Sequence, residues 1–483
     1  MRVDGDESIG CGHLARCLAL GRQALEDGFR VRVATTDLDD RWFRRLKEAG
    51  IEPLLLDAER GSREDAEALA TRAMMVEPDW IVVDGYPFDV AYRRRLRSAL
   101  DGTETTVLMI DDLGADGEGA DLVLNHNMYA TPAMYPDVDE SVLLLGSRYL
   151  LLRPEFDAWE EWERRIDGEI ESILVVGGGD PDEKMPRVVA GLSQIVDDSV
   201  HVDVVGIDEA ACVRRVPEAS RFTYCGNVDA VADLMADADV AVSTGGNLAW
   251  ELLFMQLPGI IVPVVDNQRR SAEAIAELPG YLRLDNPDRH SELRRHLERL
   301  DAAELRKASA ESAASIVDGA GPRRVVRIMK SWKCLGLRGV RPDDCRMLWD
   351  WADAPEVRAQ AFDSTPIPWE EHRGWFADKM VDDDTLIYIG EHRDGRPIGQ
   401  VRFEVDDRRD AEISIVVDRE FRSGGYGWML LRAAMQAAPD DIETFHAYVK
   451  PENAASLNLF QSLGFEVAGE TQRKGCRAIH FVR

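Results

Sequence analysis

The chain has 483 residues, 45% of them hydrophobic and 30% charged, which is enough for two or three globular domains with cores of their own and excludes a disordered or fibrous protein. A net charge of −31 sets most of the surface against nucleic-acid backbones and anionic membranes, so neither is expected as a partner. The opening residues MRVDGDESIGCGH lack a basic start followed by an apolar run, and no stretch reaches bilayer-spanning length, which predicts a cytoplasmic protein.

Up to about Trp332, short β-branched runs alternate with amphipathic helical stretches. Strands are predicted at 31–35, 80–85, 106–112, 172–180, 201–206, 239–246 and 259–264, with helical patterns such as HLARCLALGRQALEDG and AWELLFMQ between them. Runs buried on both faces and separated by helices argue for parallel sheets covered on each side. The first set ends near DLVLNHN at 121–127, a polar, helix-favouring bridge RPEFDAWEEWERRIDGEIE follows, and SILVVGGG opens a second set. Two Rossmann-like lobes are expected, with ligands at the carboxyl ends of their strands and in a cleft between them. From about Leu335 the texture changes to two helical patterns at 343–353 and 368–380, three strands, a glycine-rich turn with a helix, a strand ETFHAYV, a helix NAASLNLFQSLG and a closing strand pair. That order predicts a compact α+β domain.

The seven cysteines, Cys11, Cys17, Cys212, Cys225, Cys334, Cys345 and Cys476, are scattered without CxxC spacing and read as reduced, mostly buried thiols; no metal site is expected. The acidic residues are dispersed and the basic ones are mostly Arg, a balance that suits a salt-rich cytoplasm, where screening relieves self-repulsion. An ordinary acidic enzyme from a GC-rich genome has the same composition. The first reading predicts a melting temperature that rises between dilute and molar KCl, and a flat response contradicts it.

IGCGHLARCLALG at 9–21 puts Gly10 and Gly12 in a tight turn before a helix that begins with His13. Free amides at a helix start attract anions and disfavour imidazolium, so a neutral His13 at a cleft mouth can accept a proton from water; a capping or surface histidine is the plain alternative. VVGGGDP at 175–181 offers Gly178, Gly179 and Asp180 as a loop for close approach to a ligand, or as an ordinary β-to-α turn. STGGNLAWELL at 243–253 is more telling. Thr244, Gly245, Gly246 and Asn247 precede a helix whose first amides can hold a diphosphate. Glu251, a turn further in, can accept from ribose hydroxyls or be a solvated helix acid. Asn267 and Gln268 follow strand GIIVPV, where they can reach the same ligand or cap the next helix.

Together with VVDGY at 82–86, MIDD at 109–112, LVLNHNMYA at 122–130 and LGSRYLLLRPEF at 145–156, these motifs resemble, in order, the UDP-sugar hydrolase of pseudaminic acid biosynthesis, which acts on UDP-2,4-diacetamido-2,4,6-trideoxy-β-L-altropyranose. The resemblance covers roughly the first two thirds of the chain. It implies a fold similar to GT-B glycosyltransferases with uridine on the second lobe, His13 activating water, Tyr86 near the reacting sugar, UDP around Gly245, Gly246 and Glu251, and metal-independent attack of water at the anomeric carbon. Asp4 or another cleft carboxylate is then expected to stabilise the oxocarbenium-like sugar. Members of that family normally carry several apolar residues before the position of Arg2, so the first strand starts abruptly here, through a misassigned start codon or a trimmed edge.

In the tail, IVVDREFRSGGYGWMLL at 415–431 contains RxxGxG, formed by Arg422, Gly425 and Gly427 between a strand and a helix, where consecutive amides can embrace a coenzyme pyrophosphate. With NAASLNLFQSLGF at 453–465 it resembles the GNAT acetyltransferase fold, which implies acetyl-CoA held by Val416, Val417, Arg422, Gly425, Tyr426, Gly427, Asn453 and Ser456. WADAPEVRAQAFDSTPIPWEEHRGWF at 351–376 resembles the N-acetyltransferase of the same pathway, which acetylates the 4-amino group just before UDP is removed. Two departures stand out: Ala352 and Asp353 replace the family's Arg-Asn pair, and Phe460 stands where many GNAT enzymes carry a proton-donating tyrosine. Tyr448 and Tyr426 are substitutes for the donor, though each also reads as a packed aromatic; Glu412 is a candidate base for the amine, or a solvent-facing strand residue.

The resulting expectation is an α/β chain with a GT-B-like pair of Rossmann-like lobes at 1–153 and 154–333 and an α+β GNAT domain at 334–483. The preferred function is acetylation followed by hydrolysis of a UDP-sugar. A GT-B glycosyltransferase with an accessory acetyltransferase, and a hydrolase with a decayed tail, are the alternatives.

Overall fold

The computed structural model describes residues 1–5, 12–114, 116–138, 142–216, 221–226, 228, 230–406, 410–439 and 441–483. The chain divides into two compact units, one covering residues up to Val138 and Leu144–Arg323, the other chiefly Arg324–Arg483.

The first unit holds two sheets. In one, β1 (Arg2–Val3), β2 (Arg32–Thr35), β3 (Glu52–Leu55), β4 (Trp80–Asp84), β5 (Thr106–Ile110), β6 (Leu122–Asn125) and β7 (Leu143–Leu145) lie in the order β3-β2-β1-β4-β5-β6-β7. In the other, β8 (Ser172–Val176), β9 (His201–Val205), β10 (Phe222–Gly226), β11 (Val240–Thr244), β12 (Gly259–Val262) and β13 (Tyr281–Arg283) lie in the order β10-β9-β8-β11-β12-β13, every pair parallel. Alternate residues of the second sheet enter different cores: Ile173, Val175, Val202, Val204, Val240 and Val242 one, and Leu174, Val176, Ala241 and Ile261 another. Burial on both faces is why these strands read as unbroken apolar runs. Each sheet reverses its winding direction once, between β1 and β4 and between β8 and β11, and the crevices beyond those strand ends are where doubly wound sheets take ligands.

The bridge after Leu152 departs from the helix expected there. Only Pro154–Trp159 is helical, as a single stretch of 3₁₀ helix, and the rest is irregular. Phe156 is buried, Trp159 and Trp162 pack against the second-lobe core, and the Arg164 guanidinium donates to the carbonyls of Met235, Ala238 and Met255. Tertiary anchoring of the aromatics and of Arg164 overrides the local helical preference. The thiols also differ from expectation: Cys17 and Cys212 are buried, whereas Cys225, Cys334, Cys345 and Cys476 are half-buried. Cys11 lies outside the described residues.

The second unit is built on β14 (Leu335–Gly339), β15 (Thr385–His392), β16 (Pro397–Val405), β17 (Asp410–Val417), β18 (Thr444–Val449), β19 (Glu466–Arg473) and β20 (Cys476–Val482), ordered β14-β15-β16-β17-β18-β20-β19. All neighbours are antiparallel except β17 and β18, which run parallel. Among the described residues their register ends at Glu412↔His446, while β17 continues to Val417 paired with β16. The two strands therefore part, leaving one edge of β17 open to an extended ligand. No helix among the described residues is long and apolar enough to cross a membrane.

Candidate functional site

At the reversal point of the first sheet, β4 delivers Asp84 to its carboxyl end, and the helix Gly12–Glu26 aims His13 and Arg16 at it. His13 Nδ1 lies 2.7 Å from Asp84 Oδ1. Arg16 donates from Nε and Nη2 to the two Asp84 oxygens at 2.7 and 2.6 Å, and from Nη1 to Asp112 Oδ1 at 2.8 Å. Burial opposes the charge on Asp84, but Arg16 and His13 outweigh it and hold the carboxyl well below the usual range. The same balance, led by Arg16, holds Asp112 at about 2. Arg16 Nη2 also lies 2.9 Å from His13 Nδ1; in the tautomer that gives its Nδ1 proton to Asp84, His13 keeps the lone pair on Nε2, as a general base needs. His13 is 8% exposed, and its ring meets Tyr86 edge-on at 5.0 Å. A cavity of about 210 Å³ opens beside them, lined among others by His13, Arg16, Tyr86, Asp111 and Asp112.

Tyr86 reaches 3.5 Å from Asp112 Oδ2, and Asn267 of the second lobe donates to its hydroxyl at 2.9 Å. Burial and Asp112 push Tyr86 up to about 12, so it remains a phenol. Gly12 also faces the second lobe, since a Cβ built there would lie 3.3 Å from Asn247 Nδ2. The structure thus gathers Gly12, His13, Tyr86, Asn247 and Asn267; Gly10 lies outside the described residues.

Three other expected ligand residues are placed differently. Asp4 does not line this cavity: it is buried beside Arg2 at 2.6 Å and Arg60 at 3.3 Å and accepts from Thr35 Oγ1 and the Thr36 amide. The carboxylates lining the cavity are Asp89, Asp111, Asp112 and Asp116. Glu251 is 2% exposed, with both oxygens engaged by Arg153 at 2.7 and 2.5 Å, so it ties the helix Asn247–Phe254 to the inter-lobe segment. Gln268 spends its carbonyl on the amides of Gly245 and Val264, at 3.1 and 3.0 Å, which shapes the turn. Gly245 also lies close to that residue's main chain, since a Cβ there would meet the backbone carbonyl oxygen of Gln268 at 3.0 Å. Thr244 is buried at the end of β11, and the helix after Gly246 has no side-chain cap, its Ala249 amide turning back to the Gly246 carbonyl at 2.9 Å. On the neighbouring loop Gly178 and Gly179 have open space on their Cβ side, while Asp180 accepts from the Met185 amide at 2.6 Å in the manner of a helix cap.

In the second unit, Val416 and Val417 lie on the stretch of β17 beyond the split. Arg422 donates from Nε to the Val417 carbonyl at 2.9 Å and pairs with Glu356 at 3.2 Å, beside a cavity of about 400 Å³. Gly425 has φ 83°, and a Cβ there would strike the Arg327 carbonyl oxygen at 2.8 Å. Only glycine fits this turn, which feeds Tyr426 and Gly427 into the helix Tyr426–Ala437. Asn453 caps the helix Ala454–Ser462 by accepting from the Ser456 amide at 3.1 Å. Glu412 is ion-paired with Arg473 at 2.7 Å, and Tyr448 carries the Arg473 guanidinium 3.7 Å from its ring centre. Phe460 is buried against Phe465 and Phe481. Tyr426 packs on Phe421 and His392.

The sequence motifs alone give no role to Asp84, Arg16 or Asp112. The signal was there in the acids closing two buried strands, VVDGY and MIDD.

Residues 335–466 match the family described as acetyltransferase (GNAT) domain. The C-terminal part is a GNAT acetyltransferase domain. Over the whole chain, an uncharacterised protein of Methanocaldococcus jannaschii is 21% identical, covering 96% of both sequences. The spore coat polysaccharide biosynthesis protein SpsG of Bacillus subtilis is 26% identical over 46% of this chain and 68% of its own length. The spermidine N-acetyltransferase of Vibrio cholerae, solved in complex with CoA and spermine, aligns with 31% of this chain and 94% of its own at 18% identity and a TM-score of 0.29. Among the described residues no group of three or more His, Cys, Asp or Glu side chains is arranged to hold a metal ion.

Proposed function

We propose that the chain is a bifunctional nucleotide-sugar enzyme, organised as 1–153, 154–333 and 334–483, whose first two parts form a GT-B-like hydrolase and whose third acetylates the sugar amine. The substrate of the hydrolase is UDP-2,4-diacetamido-2,4,6-trideoxy-β-L-altropyranose or a close analogue, and the acetyltransferase takes acetyl-CoA and the corresponding UDP-linked 4-amino sugar. The observation that carries the first half is the 2.7 Å contact of His13 with a buried, ionised Asp84 at the mouth of the cavity. His13 Nε2 takes a proton from water, the water oxygen bonds to the anomeric carbon, and the bond from that carbon to the diphosphate oxygen breaks. Asp111 and Asp112 face the positive charge that develops on the ring, and the uncapped amides after Gly246 receive the departing diphosphate. Water suffices as acceptor, which separates this reading from a glycosyltransferase. The relationship to a polysaccharide biosynthesis protein supports a sugar substrate.

For the tail, the open edge of β17 and the glycine turn at Gly425 suit the extended pantetheine arm and the pyrophosphate of the coenzyme. Arg422→Ala is expected to weaken acetyl-CoA binding roughly ten- to hundredfold, the worth of one charge-assisted phosphate contact, and calorimetry giving equal affinity removes Arg422 from the site. The combined reading is tested by mixing the protein with acetyl-CoA and the UDP-linked 4-amino sugar and following free thiol and UDP separately. Thiol release must precede UDP release; UDP release that requires an added sugar acceptor contradicts hydrolysis.

A further inference from the structure

A cluster of titratable side chains outside the cavity beside His13 stands where β17 and β18 part. Glu412 pairs with His446 across the sheet and Tyr448 with His480, so strand alternation puts Asp410, Glu412, His446, Tyr448 and His480 on one face. His446 Nδ1 is 2.9 Å from His480 Nε2, and His446 Nε2 is 3.6 Å from Asp410 Oδ2. His480 stacks on Tyr448 with centroids 4.6 Å apart, and Arg473 of β19 covers Tyr448 and holds Glu412.

We propose that His480 and His446 form a proton relay that strips the acceptor's ammonium group at the β17–β18 split and passes the proton toward Asp410. This rests on reading the second unit as an N-acetyltransferase. An amine reaches the thioester as ammonium and must lose a proton before its nitrogen can attack. The sequence candidate for the base, Glu412, is already engaged by Arg473. Two imidazoles 2.9 Å apart share one proton between them, and charging both sets like charges side by side. Asp410 favours the Nε2 proton on His446; His446 Nδ1 then accepts from His480 Nε2, and His480 Nδ1 is left as the open acceptor. Burial first, then His446 and Arg473, lower the pKa of His480, with Glu412 pulling the other way, so the ring waits neutral.

In the step itself the ammonium proton goes to His480 Nδ1, His480 gives its Nε2 proton to His446 Nδ1, and His446 releases its Nε2 proton toward Asp410 and solvent. The amine nitrogen then bonds to the thioester carbonyl carbon and the carbon–sulfur bond breaks. The second amine proton ends on the thiolate, giving amide and free thiol. Phe460, buried and without a proton, takes no part.

The test is the pH profile of thiol release by the full chain with acetyl-CoA and the UDP-linked 4-amino sugar. His480→Gln is expected to lower kcat/KM about 100-fold at neutral pH. It should also abolish the acidic limb and recover at alkaline pH, where the amine deprotonates unaided. His446→Gln should lose less and displace that limb. Calorimetry should give unchanged acetyl-CoA affinity for both. A readout independent of turnover is imidazole NMR, in which the two rings of the wild type titrate as a coupled pair and His446→Gln leaves His480 a single ordinary transition. A His480→Gln enzyme with the wild-type rate and acidic limb overturns the relay, as do two rings that titrate independently. Wild-type protein that releases no thiol with this amine overturns the acceptor reading, and the relay falls with it.

Discussion

His13→Ala is expected to reduce UDP release by on the order of 10³-fold while leaving acetyl-CoA binding intact, because general-base help of this kind contributes about 10² to 10⁴ to a rate. The expectation follows from where the ring is held. Its Nδ1 lies 2.7 Å from Asp84 Oδ1 and 2.9 Å from Arg16 Nη2, its ring meets Tyr86 edge-on, and its remaining nitrogen is the atom assigned to the water. Alanine removes that atom without disturbing the Arg16 bridge between Asp84 and Asp112, so UDP should bind with nearly its wild-type affinity. A variant with unchanged turnover refutes the role of His13, and one that loses UDP binding as well would assign the residue to the architecture of the turn.

Asp84→Asn should cost about as much, on the order of 10²- to 10³-fold in turnover, by a different route. An amide at this position can turn its NH₂ toward His13 Nδ1, which then accepts and forces the proton onto Nε2, the wrong tautomer for taking a proton from water. The change also deprives the buried Arg16 guanidinium of an anion, leaving Asp112 as its one full counter-charge among these contacts. Breaking a buried ion pair from one side costs about 3–5 kcal/mol, so a fall in melting temperature is expected alongside the loss of rate. Kinetics and thermal unfolding on the same preparation separate the two consequences. Full stability with lost turnover isolates the tautomer effect, and full turnover contradicts the dyad.

Much of the fold could be read because parallel strands buried on both faces announce themselves as apolar runs. The runs 31–35, 80–85, 172–180 and 259–264 each contain an observed strand. The strands that went unseen are short or lie toward the sheet margins: β3 contains Pro53, and β13 is the three residues YLR. Such strands owe their pairing to neighbours, a tertiary cause that leaves little local pattern. The bridge misled for the same reason, since Glu and Arg at helical spacing say helix, while Phe156, Trp159 and Trp162 answer to a core.

At the site, the glycine turns were visible because tight loops restrict composition strongly. Which carboxylates face the cavity was not. Asp4, Asp84 and Asp112 all stand at or just past strand ends, and only the third dimension shows Arg2 and Arg60 claiming Asp4 while Arg16 joins the other two. Nor does the sequence show that Glu251 pairs with Arg153, 98 residues away.

The central claim, that His13 and Asp84 direct water to the anomeric carbon, is tested most directly by running the reaction in water enriched in heavy oxygen and weighing both products. The account predicts the label in the released sugar and none in UDP. Label in UDP would mean attack at phosphorus, and the arrangement described around His13 would then need another explanation.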